Sequence, residues 1–524
     1  MNLICIFEKH NHQPTFMRHF LSIILVTLLI CGCKKTESNS IKPNIIYFLA
    51  DDLGYGEVGV YGQQKIQTPN MDALAKNGML FTQHYSGAPV CAPARYMFLT
   101  GKHSGHAYIR GNDEWNERGN VWDYAAVAND PSLEGQRPIP NTTITIGHQL
   151  QKAGYKTGLF GKWGLGAPES DGIPTLQGFD YFYGYNCQRQ AHNLYPPHLW
   201  ENTEKDILNN EIVPPRTKLD SLADPYDEAS YAKYNQKDYA PERIHEKAID
   251  FMTKNKDSAF FMYYASPLPH LPLQAPKNFV DKYRKMFGEE EPYLGDKGYF
   301  PNRYPRATYA AMIDYLDYQL GDLITKLKEL GIYENTIIIL SSDNGPTYTG
   351  GVDFEFFESS NPFANGYGRT KGYTYEGGIR VPLIASWPNN IKAGTTSNHI
   401  SAFYDMMPTL CDIAGAKIPQ NIDGKSFLAE LLDKEQEPHE FLYWEFPSYK
   451  GQQAVRLGKW KGIRKNIFDG NLDIELYDLE NDILEQNNIA DKHPDIVEKI
   501  ATIMIQEHKP AENKRFKFEQ LGDN

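Results

Sequence analysis

Residues Asn44–Ala50 read NIIYFLA and run without a break into Asp51-Asp52. A continuous apolar run rich in β-branched and aromatic residues marks a strand buried on both faces of a parallel sheet. Outward from it, Thr68-Pro69 opens a helix with proline at its first position, and Gly78 stands just past the end. Ala259–Ala265 (AFFMYYA) is a second apolar run. Tyr309–Leu330 puts Ile313, Leu316, Leu320, Leu323, Ile324 and Leu327 on one helical face, and Gly331 terminates it. Thr336–Leu340 (TIIIL) follows as another buried strand, and Val381–Trp387 (VPLIASW) is a further candidate. This strand–helix alternation predicts one large α/β domain over 42–437, a mixed, mostly parallel sheet flanked by helices.

After Pro438 the texture changes to short strand-like pieces: Phe441–Glu445, Gln453–Arg456, Trp460–Arg464 and Glu475–Asp478. A last helix is expected over Pro494–His508. Residues 438–524 therefore read as a smaller α+β domain built on an antiparallel sheet. Two stretches rich in aromatics, Pro, Asn and Gly, Gly111–Pro140 and Tyr181–Arg216, read as functional loops.

The 524 residues, 41% hydrophobic and 23% charged, exclude disordered, collagen-like and multi-span membrane classes. A formal net charge of −13 argues against a nucleic-acid partner, and a polyanionic ligand would need a local basic pocket. At the amino terminus, Phe20–Ile30 (FLSIILVTLLI) follows Arg18, is too short to span a bilayer and has the form of a signal-peptide core. Ile30-Cys31-Gly32-Cys33 resembles a lipobox, which makes 1–32 a lipoprotein signal peptide, Cys33 the lipidated residue and 33–41 a tether. The alternative is a plain secretory signal. Either way the chain is expected to be exported; on the lipobox reading it is a periplasmic or cell-surface lipoprotein held to the membrane only by its lipid. Beyond that segment Cys91, Cys187 and Cys411 remain, without disulfide-framework or zinc spacing.

The strand Asn44–Ala50 ends in Asp51-Asp52, and Thr336–Leu340 ends, after two serines, in Asp343-Asn344-Gly345. Ligands of open α/β sheets gather at the carboxyl ends of strands. Three carboxylates and an amide, with no thiolate or imidazole, suit Ca²⁺ or Mg²⁺ better than zinc. Acidic residues also merely end strands and cap helices, so either tip alone says little. Between them lies Cys91-Ala92-Pro93-Ala94-Arg95, followed by Tyr96-Met97-Phe98-Leu99-Thr100-Gly101-Lys102. Pro93 suits a first helical turn, which sets Cys91 at the helix start, where backbone N–H groups attract an anion. Arg95, one turn on, can fork onto oxyanion oxygens.

This segment resembles the C-x-P-x-R signature of the type I, formylglycine-dependent sulfatases. Other blocks match in order: NIIYFLADDLG at Asn44–Gly54, TPNMDALA at Thr68–Ala75, GKWGLG at Gly161–Gly166 and PHLP at Pro269–Pro272. SSDNG at Ser341–Gly345, KGYTYEGGIRVP at Lys371–Pro382 and ELYDLENDILEQNNIA at Glu475–Ala490 complete the series. The resemblance covers about Lys42 to Ala490 and leans toward bacterial relatives grouped with arylsulfatase A and N-acetylgalactosamine-6-sulfatase. It implies an alkaline-phosphatase-like fold and hydrolysis of sulfate esters. It also implies that Cys91 is oxidised to formylglycine by a formylglycine-generating or anaerobic sulfatase-maturating enzyme. Carried over by position, Asp51, Asp52, Asp343 and Asn344 would hold Ca²⁺, with Mg²⁺ the lesser candidate. Cys91, once converted, would be the nucleophile and Arg95 would steady the aldehyde hydrate. Lys162, His270 and Lys371 would surround the sulfate and the leaving-group oxygen.

One position departs. Many relatives read Gly-Lys-Trp-His-Leu-Gly where this chain has Gly161-Lys162-Trp163-Gly164-Leu165-Gly166. His192, in the aromatic segment Tyr181–Trp200, is the candidate to supply the missing imidazole as a substrate-binding residue. Sulfated glycans are the expected substrates of an exported lipoprotein, and the aromatics of Tyr181–Trp200 and Phe354–Tyr367 could stack on sugar faces or simply pack. Two other functions stay open. A phosphomonoesterase or phosphodiesterase on the same scaffold usually wants two transition metals and several histidines. A non-catalytic glycan-binding surface lipoprotein would result if Cys91 were never matured.

Overall fold

The computed structural model describes residues 42–524. The expected signal peptide and tether, with Cys33, lie outside the described residues. Ten strands form the main sheet. Its order is Thr395–Ser397, Met79–Phe81, Leu383–Ser386, Thr336–Ser342, Asn44–Ala50, Phe260–Ala265, Lys156–Lys162, Tyr181–Tyr185, His198–Glu201 and Glu204–Ile207. The five strands from Thr336–Ser342 to Tyr181–Tyr185 are mutually parallel, so five carboxyl ends open on one edge. Leu383–Ser386 joins antiparallel on one flank, and His198–Glu201 with Glu204–Ile207 do so on the other.

Strand Asn44–Ala50 lies at the middle and is buried throughout. Its side chains alternate between two cores, as the two-residue period of a strand demands. Ile46 and Phe48 pack with Leu316, Leu320 and Leu323 of the long helix Pro305–Glu329. Ile45, Tyr47 and Leu49 pack with Phe98 and Leu99 of helix Cys91–Thr100 and with Leu410 of helix Met406–Ala414. The sheet therefore needs a helical layer on each face, the architecture expected from the alternation.

One expectation needs correction, and one strand was not anticipated. Tyr181–Arg216 is not a loop throughout: it carries three strands, Tyr181–Tyr185, His198–Glu201 and Glu204–Ile207. Aromatic side chains filling both faces of the first, next to turn residues, make it read as irregular. Lys156–Lys162 (KTGLFGK) is a central strand that its glycines hide. Gly161 is required there: its φ is +113°, and a Cβ would meet the carbonyl oxygen of Ala265 at 2.0 Å.

Strands Leu442–Phe446, Gln452–Leu457, Trp460–Lys465 and Glu475–Asp478 form an antiparallel four-stranded sheet, in sequence order. One face carries Val455 and Leu476 against Ile500 and Met504 of helix Pro494–Glu507. The other carries Trp444, Ala454 and Ile463 against Tyr85, Ile379 and Tyr404. Trp444 Nε1 also donates to the carbonyl of Ser86, 2.8 Å away. Among the described residues no helix is long and apolar enough to cross a membrane.

His508 closes the carboxyl-terminal tail, with Nδ1 2.8 Å from Glu445 and Nε2 2.9 Å from Asp523. Burial alone would lower its pKa, but the hydrogen bonds and charges of those carboxylates raise it above the ordinary 6.5. A raised folded value means the stabilisation is fully present below pH 6.5 and is lost as pH climbs through the folded pKa. Hydrogen exchange across 513–523, corrected for intrinsic rates, should therefore speed up in mildly alkaline buffer. His508→Gln should show the faster exchange already at pH 6; equal protection in both proteins would refute the tether.

Candidate active site

Each of the five parallel strands delivers side chains to the same edge. Asn44–Ala50 ends in Asp51 and Asp52, both buried, with Asp52 in the left-handed region at φ +67°. Aspartate tolerates that conformation better than most side chains, and here the turn lets the Asp52 N–H donate to Asp343 Oδ1 at 3.1 Å. Thr336–Ser342 leads to Asp343 and Asn344, Lys156–Lys162 ends in Lys162, and Phe260–Ala265 leads to His270. Tyr181–Tyr185 leads to His192. Helix Cys91–Thr100 begins at Cys91 itself, with Pro93 in its first turn and Gly101 at φ +71° closing it. Asn112 Oδ1 accepts from the N–H of Ala92, which ties the neighbouring loop to that helix start.

Cys91 Sγ is 3.2 Å from Asp51 Oδ1 and 3.7 Å from Lys371 Nζ. Lys162 Nζ lies 2.5 Å from Asp51, and Lys371 Nζ lies 2.6 Å from Asp52. Arg95 donates to Asp343 from Nε at 3.0 Å and Nη2 at 2.9 Å, is 3.4 Å from Asp51, and donates from Nη1 to the carbonyl of Lys162. His270 Nδ1 is 2.7 Å from the carbonyl of Leu271. A carbonyl only accepts, so Nδ1 carries the proton and Nε2 faces Asp52, 3.8 Å away. The ring of His192 stacks on His270 with centroids 5.2 Å apart. The structure thus brings all ten predicted site residues of the described chain together.

Burial raises the carboxyl of Asp51, but Lys162, His270, Arg95 and Lys371 outweigh it and hold the group well below the carboxylate range. Asp52 stays raised, by burial and by Asp51, against the pull of Lys371. Asp343 is pushed up to about 7 by burial and then by Asp51. Burial and the nearby Asp343 and Asp51 carboxylates drive the Cys91 thiol well above its usual value. His270 and His192 are both lowered by burial first, His270 next by Lys371 and His192 next by His270. Both rings are neutral around pH 7.

The donors fit a hard cation. Asn344 Nδ2 donates to Asp52 Oδ1 at 2.7 Å and to the Gly345 carbonyl, while its buried Oδ1 has no partner. Ligand atoms of Asp51, Asp52, Cys91 and His270 all lie within 4.8 Å of one another. The carboxylates left raised beside three cations are still short of positive charge, which a divalent ion would bring.

The sequence did not single out Tyr299. Its ring stands edge-on to His192 at 5.3 Å and to His270 at 6.0 Å. It lies in an ordinary Gly-Tyr-Phe-Pro run with no pattern to mark it. Ser86 was also missed; its Oγ donates to the main-chain carbonyl of Asp343, 2.5 Å away, and braces that turn.

A nucleophile position ringed by carboxylates and cations at the carboxyl edge of a parallel sheet defines a hydrolase of anionic esters. Residues 43–416 match the sulfatase family, and 368–510 match the carboxyl-terminal region described as N-sulphoglucosamine sulphohydrolase. Human arylsulfatase A is 32% identical over 438 residues, 80% of this chain and 74% of that protein. An N-acetylgalactosamine-6-O-sulfatase of Bacteroides thetaiotaomicron is 26% identical over 533 residues, covering 91% and 96%. Among solved structures, Ps i-CgsB in complex with k-i-k-neocarrahexaose superposes with a TM-score of 0.69 at 26% identity, covering 89% of this chain and 94% of that one. The chain belongs to the sulfatase family and is a sulfuric ester hydrolase.

Arg95 is fully buried between two carboxylates. Arg95→Ala should cost about 3–5 kcal/mol, because it strands buried negative charge. A shift in the urea midpoint with unchanged slope checks this. The protein carrying unconverted Cys91 should resist alkylation at pH 8 while folded and react on denaturation, as seen by mass spectrometry of that peptide.

Proposed function

We propose that the chain hydrolyses O-sulfate esters on carbohydrate, with formylglycine derived from Cys91 as nucleophile and Ca²⁺ held by Asp51, Asp52, Asp343 and Asn344. The observation that carries this reading is the position of Cys91. It opens a buried helix in hydrogen-bond reach of Asp51, with Lys371 beside it. Carbohydrate as the ester's carrier is supported by the sugar-directed relatives above.

When present, the hydrated formylglycine supplies a nucleophile with a second hydroxyl through which sulfate can be expelled, and the cation supplies charge for the ester oxygens. The remaining chemistry falls to this chain's side chains. Lys162 and Lys371 neutralise the sulfate oxygens from a largely buried site, where such charges act more strongly than in water. Arg95 holds Asp343 and Asp51 in register and steadies the converted residue. His270, its Nδ1 fixed on the Leu271 carbonyl, presents Nε2 as the atom that holds or yields the leaving group's proton. An anion bound between Lys162 and Lys371 offsets the charges that lower His270 and raises its hold on a proton. His192, stacked on His270, is the substrate-binding imidazole of this reading.

In the same reading residues 42–437 are the catalytic domain and 438–524 the smaller carboxyl-terminal one. The protein is exported and anchored through Cys33, after a formylglycine-generating or anaerobic sulfatase-maturating enzyme has acted on Cys91.

Protein from a host that performs this conversion should release sulfate from sulfated sugars and carry at Cys91 a residue without sulfur. Cys91→Ala should abolish turnover. Calcium at about a hundred times its Kd should stabilise the fold by about 2.7 kcal/mol, read as a rise in Tm that a chelator reverses. Full activity with the thiol intact would overturn the proposal, and so would phosphate esters cleaved in preference and lost on zinc chelation. His192→Ala should lower kcat on the sugar substrate by about tenfold or more; unchanged kinetics would remove that residue from the site.

A further inference from the structure

The carboxyl-terminal four-stranded sheet grips the stretch of main chain that carries Lys371. Lys371 and Gly372 are the middle residues of a turn that the Tyr373 N–H closes on the Thr370 carbonyl at 3.0 Å. Gly372 has φ +89°, and a Cβ on it would lie 2.8 Å from the Tyr449 ring, so the position asks for glycine. The Lys371 N–H donates to the Pro346 carbonyl at 3.2 Å, and the Gly372 N–H donates to the Pro89 carbonyl at 2.8 Å. Those bonds tie the turn to the segments that carry Asp343 and Cys91. The next two main-chain groups go to Gln452. Its Nε2 donates to the Gly372 carbonyl at 2.8 Å, and its Oε1 accepts from the Thr374 N–H at 3.0 Å and from Thr374 Oγ1 at 3.3 Å. A carbonyl only accepts and an N–H only donates, so the amide fits one way round. Gln452 is 2% exposed, and its strand is paired on both sides, opposite Phe446 and Lys465. Lys461, on the neighbouring strand, lies 2.8 Å from Glu376, so the chain beyond the turn is held by the same sheet.

We propose that Gln452 is a positioning residue for the sulfatase reaction, fixing through the Gly372 carbonyl and the Thr374 N–H the turn from which Lys371 reaches the sulfate. This rests on the reading of Lys371 as a cation that neutralises sulfate oxygens, and it gives the carboxyl-terminal sheet a part in catalysis without contact with substrate. Lysine is a point charge on a flexible four-carbon stem. Its reach is set by where its Cα stands, and here Nζ stands 2.6 Å from Asp52 and 3.7 Å from Cys91 Sγ. The side chain keeps 17% of its surface exposed, so packing alone does not hold the stem and the main chain must. Without the Gln452 amide a buried carbonyl and a buried N–H lose their partners, and the turn relaxes toward others. A shift of about 1 Å is enough to cost up to a hundredfold in rate where charges act by position. Arg95 and Lys162 are placed by the helix Cys91–Thr100 and the central strand Lys156–Lys162, so the effect belongs to Lys371.

The test is a double-mutant cycle on the converted protein, with an aryl sulfate as probe and kcat/KM as readout. Gln452→Met keeps the buried volume and removes both hydrogen bonds. It should lower kcat/KM by about tenfold or more, and Lys371→Ala should lower it further, by about a hundredfold. Added to Lys371→Ala, Gln452→Met should cost less than about twofold, since no ammonium is left to place. A residue that serves stability alone would lower the urea midpoint and leave kcat/KM of the folded protein unchanged. Equal losses in the two backgrounds, or an undiminished kcat/KM in Gln452→Met beside an impaired Lys371→Ala, overturn the inference and leave the sulfatase reading intact. Wild-type kcat/KM in Lys371→Ala removes that lysine from the site and overturns the inference with it. Gln452→Asn keeps donor and acceptor on a shorter stem that cannot span both partners. It runs the same cycle, with the same readings, should the methionine variant fail to fold.

Discussion

Three buried carboxylates, Asp51, Asp52 and Asp343, face the buried cations Arg95 and Lys162 and the partly exposed Lys371, and the architecture is arranged to keep them together. A charge taken from water costs several kcal/mol unless it is paired. No single strand or helix could supply both signs at this density, so the pairing must be made between elements distant in sequence. Parallel strands solve this, since all their carboxyl ends emerge on one edge. Balance is close but incomplete: Asp52 and Asp343 remain raised, by burial first and then by Asp51. The same network that stabilises the apo fold therefore has room for added positive charge. A divalent cation would bring two positive charges, and a sulfate monoester one negative. Against three carboxylates and three cations the ester offsets half of the charge that the cation would bring.

Much of this was legible in the sequence because the residues involved sit at strand ends, where pattern changes abruptly. NIIYFLA is unmistakably a doubly buried strand, and acidic residues closing two such strands point to one edge, though either tip alone says little. Cys91 and Arg95 were placed correctly because proline suits a first helical turn, which sets the helix start at Cys91. The strand Lys156–Lys162 was not legible, because its packing demands glycine: Gly161 lies against the carbonyl of Ala265, and glycine carries no periodicity. Tyr181–Tyr185 failed for the opposite reason. Large aromatics on both faces, bounded by Asn and Pro, imitate a loop composition while filling a core.

Contacts made by single side chains were the least visible part. Tyr299 reaches the histidines from a loop whose local sequence serves only to turn the chain. Gln188 and Glu114 are ordinary polar residues in a sequence full of them. What marks them is burial without a partner, a property of three-dimensional neighbours that no spacing encodes. Gly164 makes the same point. Read as a string, it is the loss of a histidine; in the fold it is a left-handed turn with the buried Gln188 beside it, and His192 is stacked on His270.

The state of Cys91 follows from the same electrostatics. Two lysines nearby would normally promote a thiolate. Here burial works against the anion, and Asp343 and Asp51 press in the same direction, so the thiol stays protonated at neutral pH. A buried, protonated thiol is neither an effective nucleophile nor a good ligand. The surroundings that make the position suitable for an oxygen nucleophile, acidic acceptors to orient its hydroxyls and lysines to take up charge at sulfur, are those that silence sulfur itself. The site as encoded is thus mismatched to its central residue and matched to what conversion would put there. In the proposed reading, therefore, chemistry at this position awaits the loss of its sulfur atom.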